Sequence, residues 1–366
     1  MQDPDARETR LALSGDISFR LSLLKFISIA AIVYLHSYAQ VISFKGEDLD
    51  LGDYRFTFMV ESLVNGLARF AVPLFFCISG YIFFVKDYRT GYPGFVREKT
   101  RSILFPYLLW NTVCIAYIFV LQSLPFARNY FFNDLIASWG VSDWVRAYVG
   151  FGSDWMPFLY PLWFLPTLYV VFLVVYPLKA FLVKRPFVIF ALMAFNVVCL
   201  HFSVFDVLLL PRFVNALSFF CMGYLVSVYW KTIDKSSVCA ISGILFFASR
   251  ILRVLFPDYD LYVPDAVDLY PGVVFFFSLS RSFKSLPESV KKSLLYLSSF
   301  SFLIYVLHEN LLTIVKKLCY SRIPLKPFVP LTLFFAIPVA VIALLILFGA
   351  VLRKLCPNLS RRLFSR

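Results

Sequence analysis

Ten apolar stretches, at about residues 21–42, 58–85, 103–122, 162–182, 187–204, 212–230, 237–255, 267–283, 294–316 and 328–352, leave this chain few places outside a membrane. A run of about 20 apolar residues makes a helix long enough to cross a bilayer, and only helices and closed barrels satisfy their own backbone there. The expected fold class is an all-α polytopic membrane protein with about ten transmembrane helices. Composition agrees, since 60% of the 366 residues are hydrophobic and 16% are charged, which excludes an ordinary soluble globule. Residues 1–20 read as a polar tail, 21–352 as one membrane domain and 353–366 as a basic tail, with no internal repeat or appended soluble domain. The first apolar run is too long for a signal-peptide core and has no cleavage pattern behind it, so the first helix is expected to stay.

Charge orients the spans. Lys and Arg accumulate in cytoplasmic loops. The densest group, Lys86, Arg89, Arg97, Lys99 and Arg101, follows the second stretch, whereas Asp48, Asp53, Asp154, Asp258 and Glu309 fall on the alternate side. Both termini are therefore expected in the cytoplasm. The net charge of +13 is then explained by topology and attraction to anionic lipid, with no reason to invoke nucleic acid. Seven cysteines without a C-x-x-C suggest neither a disulfide framework nor a zinc site, and no metal is expected. The outer segment Gln122 to Pro161 holds Trp144, Tyr148, Trp155, Phe158 and Tyr160, an aromatic set suited to the headgroup level.

Ionisable residues inside spans are functional-site candidates by default. Lys25 and His36 lie eleven apart in the first stretch, close to three helical turns, so both project from one face about 16 Å apart along the axis. In the second stretch Arg69 precedes Pro73 and the pair Ser79–Gly80, which predicts a bent helix with a cation at a polar cavity. In the ninth, Ser301, Tyr305 and His308 share one stripe. At 1.5 Å per residue His36, Arg69 and His308 all sit roughly 21–24 Å from the inner surface. Three helices thus offer two histidines and an arginine at one level.

These residues resemble the acyltransferase-3 family of bacterial membrane O-acyltransferases, in its form without an appended esterase-like domain. The similarity runs over nearly the whole chain. It rests on the basic residue, ten positions and histidine of Lys25 and His36; on Arg69, Val72, Pro73, Phe75, Phe76, Ser79 and Gly80 in the second helix; and on Pro106, Tyr107, Trp110 and Asn111 after the basic loop. Leu162 to Leu165 (Leu-Trp-Phe-Leu), Phe219 to Tyr224, and Ser301, Tyr305 and His308 complete it. The chain departs from the family where Lys25 stands for the usual arginine and Ser22 for an acidic residue.

The resemblance implies transfer of an acyl group, most often acetyl, from cytoplasmic acetyl-CoA or another acyl-coenzyme A to a hydroxyl of a cell-surface or lipid-linked saccharide, at the bacterial inner membrane. Neutral histidine suits removal of a hydroxyl proton near pH 7, which makes His36 the candidate base. Arg69 or His308 would stabilise the oxyanion. Lys25 and inner-loop cations such as Arg101 would hold coenzyme A phosphates. Tyr305, Trp163, Asn111 and Ser79 are further binding candidates. Ser79, Ser301 and the cysteines are spare nucleophiles, and direct transfer is preferred to a covalent acyl-enzyme. The rival reading is a transporter or flippase of a saccharide or lipid-linked glycan, disfavoured by the absence of sequence repeats.

Overall fold

The computed structural model describes residues 15–38, 41–44, 47–51, 54–125, 135–149, 156–202, 210–256 and 265–358. Most of the amino-terminal tail, Trp155 and residues 359–366 lie outside the described residues. Helix α1 (Gly15–Ser37) leads into a hairpin of β1 (Val41–Phe44) and β2 (Glu47–Asp50), antiparallel with Val41 opposite Asp50 and Phe44 opposite Glu47. Among the described residues all other regular structure is helical. In chain order the helices are α2 (Arg55–Ala68), α3 (Ala71–Val85), α4 (Tyr92–Lys99), α5 (Phe105–Ser123), α6 (Val141–Val149), α7 (Phe164–Lys184), α8 (Phe187–Phe202) and α9 (Leu210–Val228). They continue as α10 (Trp230–Ile233), α11 (Ser236–Leu255), α12 (Asp265–Leu279), α13 (Glu288–Ser298), α14 (Ser301–Arg322) and α15 (Val329–Leu355).

A helix occupies each of the ten apolar stretches. Among the described residues six are long and apolar enough to cross a membrane, or up to seven if the bent pair α13–α14 is one span. The chain is an all-α polytopic membrane protein in this coarser sense.

Helix α1 is the axis of the bundle. It packs against α2, α3, α13, α14, α15 and the turn Ser280–Ser285. It also begins at Gly15 rather than at residue 21, and Arg20 supplies the reason. That side chain is fully buried, donating to Asp234 at 2.9 and 2.6 Å, to Ser280 Oγ at 2.8 Å and to the Phe277 carbonyl at 2.9 Å. Its guanidinium also lies 4.3 Å from the centre of the Trp230 ring. A planar fork with five donors can satisfy all of these partners at once, so a residue that reads as polar tail is core.

The second stretch, where a bend was expected, is interrupted within one span, and the ninth, for which no bend was expected, is broken. Pro73 has no N–H to give the carbonyl four residues earlier, that of Arg69, and the helical hydrogen-bond ladder is interrupted at Arg69–Phe70 between α2 and α3, both residues keeping right-handed helical dihedrals. Between α13 and α14 the chain turns by 53° at Ser299–Phe300. Ser298, Ser299 and Ser301 donate there to the carbonyls three residues back, and Arg353 of α15 donates to Ser299 Oγ and its carbonyl at 2.7 and 2.9 Å. The carbonyls freed by the break are thereby satisfied.

Helices α3 and α9 make the closest pairing. A Cβ on Gly80 would collide with the Phe220 carbonyl, and one on Gly223 with the Tyr81 backbone nitrogen. The Ser-Gly of α3 therefore serves backbone approach rather than a polar cavity. Behind this crossing Phe83, Phe95, Phe172 and Phe220 form an aromatic cluster.

Candidate active site

Ser22, Lys25, Ile29, Ile32 and His36 recur at alternating spacings of three and four along α1, one stripe of the helix, and all five line a single cavity of about 380 Å³. Val72 and Phe75 of α3, Pro161, Trp163, Phe164 and Leu165, Leu295 and Ser298 of α13 with Ser299 just after it, and Ser301, Phe302 and Tyr305 of α14 form the remaining walls. Lys25 and His36 thus stand toward opposite ends of one chamber. Between them the walls are mostly apolar.

At its histidine end the chamber is densely networked. His36 Nδ1 is 2.8 Å from the Tyr160 hydroxyl, its ring centre is 5.3 Å from that of His308, and its carbonyl accepts from Lys316 Nζ at 3.1 Å. His308 is fully buried, with Nδ1 bonded to the carbonyls of Ile304 at 3.0 Å and Tyr305 at 2.8 Å. Carbonyls only accept, so Nδ1 carries the proton and the buried Nε2, which has no hydrogen-bond partner, keeps its lone pair. Glu309 places Oε2, buried and without a hydrogen-bond partner, 3.9 Å from His36 Nδ1, and accepts from Thr313 through Oε1 at 3.3 Å.

The short segment that bears Tyr160 is clamped from both sides. Asn111, fully buried in α5, accepts from Leu159 N at 2.9 Å and donates to the Ala147 carbonyl at 2.8 Å. Tyr305 donates to the Pro161 carbonyl at 2.7 Å, Phe158 N donates to the Ala147 carbonyl at 2.8 Å, and Tyr107 donates to the Tyr148 carbonyl.

Of the residues singled out in the sequence, His36, Lys25, Trp163, Tyr305 and Ser301 line the cavity, and His308 adjoins it through His36. Four others stand elsewhere. Arg69 is exposed in the break between α2 and α3, and Arg101 is exposed in the π-helical turn Thr100–Leu104 that joins α4 to α5. Ser79 donates to the Phe75 carbonyl at 2.8 Å within its own helix. Asn111 spends its amide on backbone. The basic loop after α3 is partly neutralised internally, with Lys86 and Lys99 at 3.5 and 3.3 Å from Glu98, and burial pushes the hydroxyl of neighbouring Tyr88 above its usual pKa.

Sequence reasoning missed Tyr160 and Glu309 as site residues. Tyr160 was legible only as one of several headgroup-level aromatics, and Glu309 only as an acid on the outer side.

Residues 19–349 match the family described as an acyltransferase domain. The chain belongs to the acyltransferase-3 family. It is accordingly an acyltransferase, and the resemblance drawn from six short motifs holds over residues 19–349. This family member is 27% identical over 363 residues to the succinoglycan biosynthesis protein ExoH of Rhizobium meliloti (strain 1021), an alignment covering 95% of this chain and 92% of that one. No solved structure matches it.

Proposed function

We propose that the enzyme transfers an acyl group, most simply acetyl, from cytoplasmic acyl-coenzyme A to a hydroxyl of a cell-surface or lipid-linked saccharide, with His36 as general base. The observation that carries this reading is the single cavity with Lys25 toward one end and His36 toward the other. Lys25 is the cation for a donor phosphate at the inner end, and the thioester reaches His36 along the apolar walls. A saccharide acceptor is supported by the relative in succinoglycan biosynthesis.

In this scheme His36 Nε2 takes the proton of the acceptor hydroxyl as its oxygen bonds to the thioester carbonyl carbon. The resulting imidazolium opposes the negative charge building on the carbonyl oxygen. Collapse breaks the C–S bond, and the leaving thiolate recovers the proton from His36. An ester and a free thiol result, with no net change in the enzyme. His308 packs beside the base, and Trp163 lines the path of the acceptor. Arg69, Ser79 and Arg101 take no step, and Asn111 is a positioning residue.

The accompanying topology has ten membrane-spanning helices with both termini in the cytoplasm, in the inner membrane, the three shorter apolar helices α8, α9 and α12 serving as spans. The domain is taken as residues 21–352 extended back to Gly15, with charged tails on either side.

Membranes holding equal amounts of wild type or His36→Ala, given acetyl-coenzyme A labelled in the acetyl group, test the reading. Label is expected in the glycolipid and surface-polysaccharide fraction with the wild type alone. Equal labelling by both proteins would remove His36 from the chemistry.

A further inference from the structure

A histidine can act as a base only through a ring nitrogen that lacks a proton, so the partner of its other nitrogen decides whether it is competent. For His36 that partner is the Tyr160 hydroxyl, 2.8 Å from Nδ1. Two arrangements fit this distance. If Tyr160 donates, Nδ1 is bare, Nε2 carries the proton, and the imidazole presents the wrong atom to an acceptor hydroxyl. If Nδ1–H donates to the tyrosine oxygen, Nε2 is bare.

Glu309 chooses between them. Its Oε2 is buried without a hydrogen-bond partner and stands 3.9 Å from His36 Nδ1, beside the bond to Tyr160. A charged oxygen is a stronger acceptor than a neutral imidazole nitrogen, so the Tyr160 O–H turns to Glu309 and its oxygen is left to accept from Nδ1–H. Resting on the assignment of His36 as base, we propose that Tyr160 and Glu309 are positioning residues that lock His36 in the tautomer with Nε2 free and oppose the charge it gains on protonation. The proton stays on Nδ1 throughout, and only Nε2 exchanges a proton with the reactants.

The surroundings suit that task. The backbone on either side of Tyr160 is pinned, at Leu159 by Asn111 and at Pro161 by Tyr305. Lys316, seven residues along α14 from Glu309, donates to the His36 carbonyl at 3.1 Å. Nucleophile-activating bases are commonly oriented by a third group in this way, and here the orienting group is a tyrosine backed by a carboxylate.

Purified full-length His36→Ala, Tyr160→Phe and Glu309→Gln would be compared with the wild type for kcat and KM of acyl transfer, and for equilibrium binding of labelled acetyl-coenzyme A as a check on folding. His36→Ala is expected to lose about 100-fold or more in kcat. Tyr160→Phe, which removes one oxygen, is expected to lower kcat about 10- to 100-fold with donor binding and both KM values within about twofold. Glu309→Gln should fall in the same direction by a smaller factor. The double variant Tyr160→Phe/Glu309→Gln should be no slower than Tyr160→Phe alone, because both act through one imidazole. Full kcat in Tyr160→Phe beside an inactive His36→Ala would overturn the positioning role while leaving the base assignment intact. Full kcat in His36→Ala would overturn the base and the relay with it. A Tyr160→Phe effect confined to KM would also overturn the relay.

Discussion

Asn111→Leu asks how firmly the Tyr160 segment must be held for His36 to work. Leucine keeps the approximate volume of asparagine and removes both amide hydrogen bonds, to Leu159 N at 2.9 Å and the Ala147 carbonyl at 2.8 Å. The Ala147 carbonyl keeps a second donor, Phe158 N at 2.8 Å. The Leu159 N–H loses its acceptor in a buried place, where an orphaned group costs about 1–3 kcal/mol. Adding about 1 kcal/mol for the lost neutral bond gives about 2–4 kcal/mol, or roughly a 30- to 700-fold shift in the docking equilibrium of the segment. Most of that loss should appear as local opening, because the membrane bundle itself does not depend on Asn111.

Hydrogen exchange in detergent micelles reads this directly. Amides of residues 156–163 should exchange at least about 30-fold faster in Asn111→Leu, while those of α3 and α9 keep their protection. Acyl transfer should fall as Tyr160 leaves His36, and binding of acetyl-coenzyme A toward Lys25 should hold. Unchanged exchange over 156–163 would refute the clamp, and faster exchange with full transfer activity would separate the clamp from catalysis.

Three further outcomes follow from the packing. Gly80→Ala and Gly223→Ala each place a methyl group against backbone of the facing helix and should cost at least the 1–3 kcal/mol usual for overpacking, read as a lower thermal midpoint in detergent; an unchanged midpoint would contradict the close α3–α9 crossing. Arg20→Met should destabilise by about 3–5 kcal/mol by stranding partners of a buried pair, whereas Arg20→Met with Asp234→Leu should recover much of the loss in the same denaturation assay; equal losses would mean that the pair is not coupled. Lys25→Ala should raise KM for the acyl-coenzyme A donor about tenfold or more with kcat within a few-fold, since one charge-assisted contact is worth about 1.5–3 kcal/mol, and a loss confined to kcat would place Lys25 nearer the chemistry.

What could be read from the sequence is what a single helix dictates. The stripe from Ser22 through Lys25 to His36 was legible because α-helical periodicity fixes a face without knowledge of any neighbour, and the same arithmetic put His36 and His308 at one depth, where their rings are now 5.3 Å apart. Arg69 passed the same depth test and stands outside the chamber. Depth along one helix does not say which way a side chain faces, and the ladder is interrupted at Arg69, where Pro73 has no N–H to give.

Features made between elements were not legible. Arg20 looked like tail until Asp234 and Ser280, far along the chain, supplied acceptors. Gly80 looked like cavity lining until the Phe220 carbonyl occupied the space of its missing Cβ. Tyr160 is the sharpest case, because a segment with no regular period gives no face to compute. Its place beside His36 is set by Asn111 and Tyr305, which reach its backbone neighbours from two other helices. Both are polar residues that the sequence offered as ligand-binding candidates, and both spend their hydrogen bonds on backbone carbonyl or amide groups instead. A polar side chain inside a membrane must be satisfied by something, and here irregular backbone brought into the bundle is that partner. The polar residues of α5 and α14 therefore mark where a loop enters the membrane domain, and the loop brings the hydroxyl that meets His36.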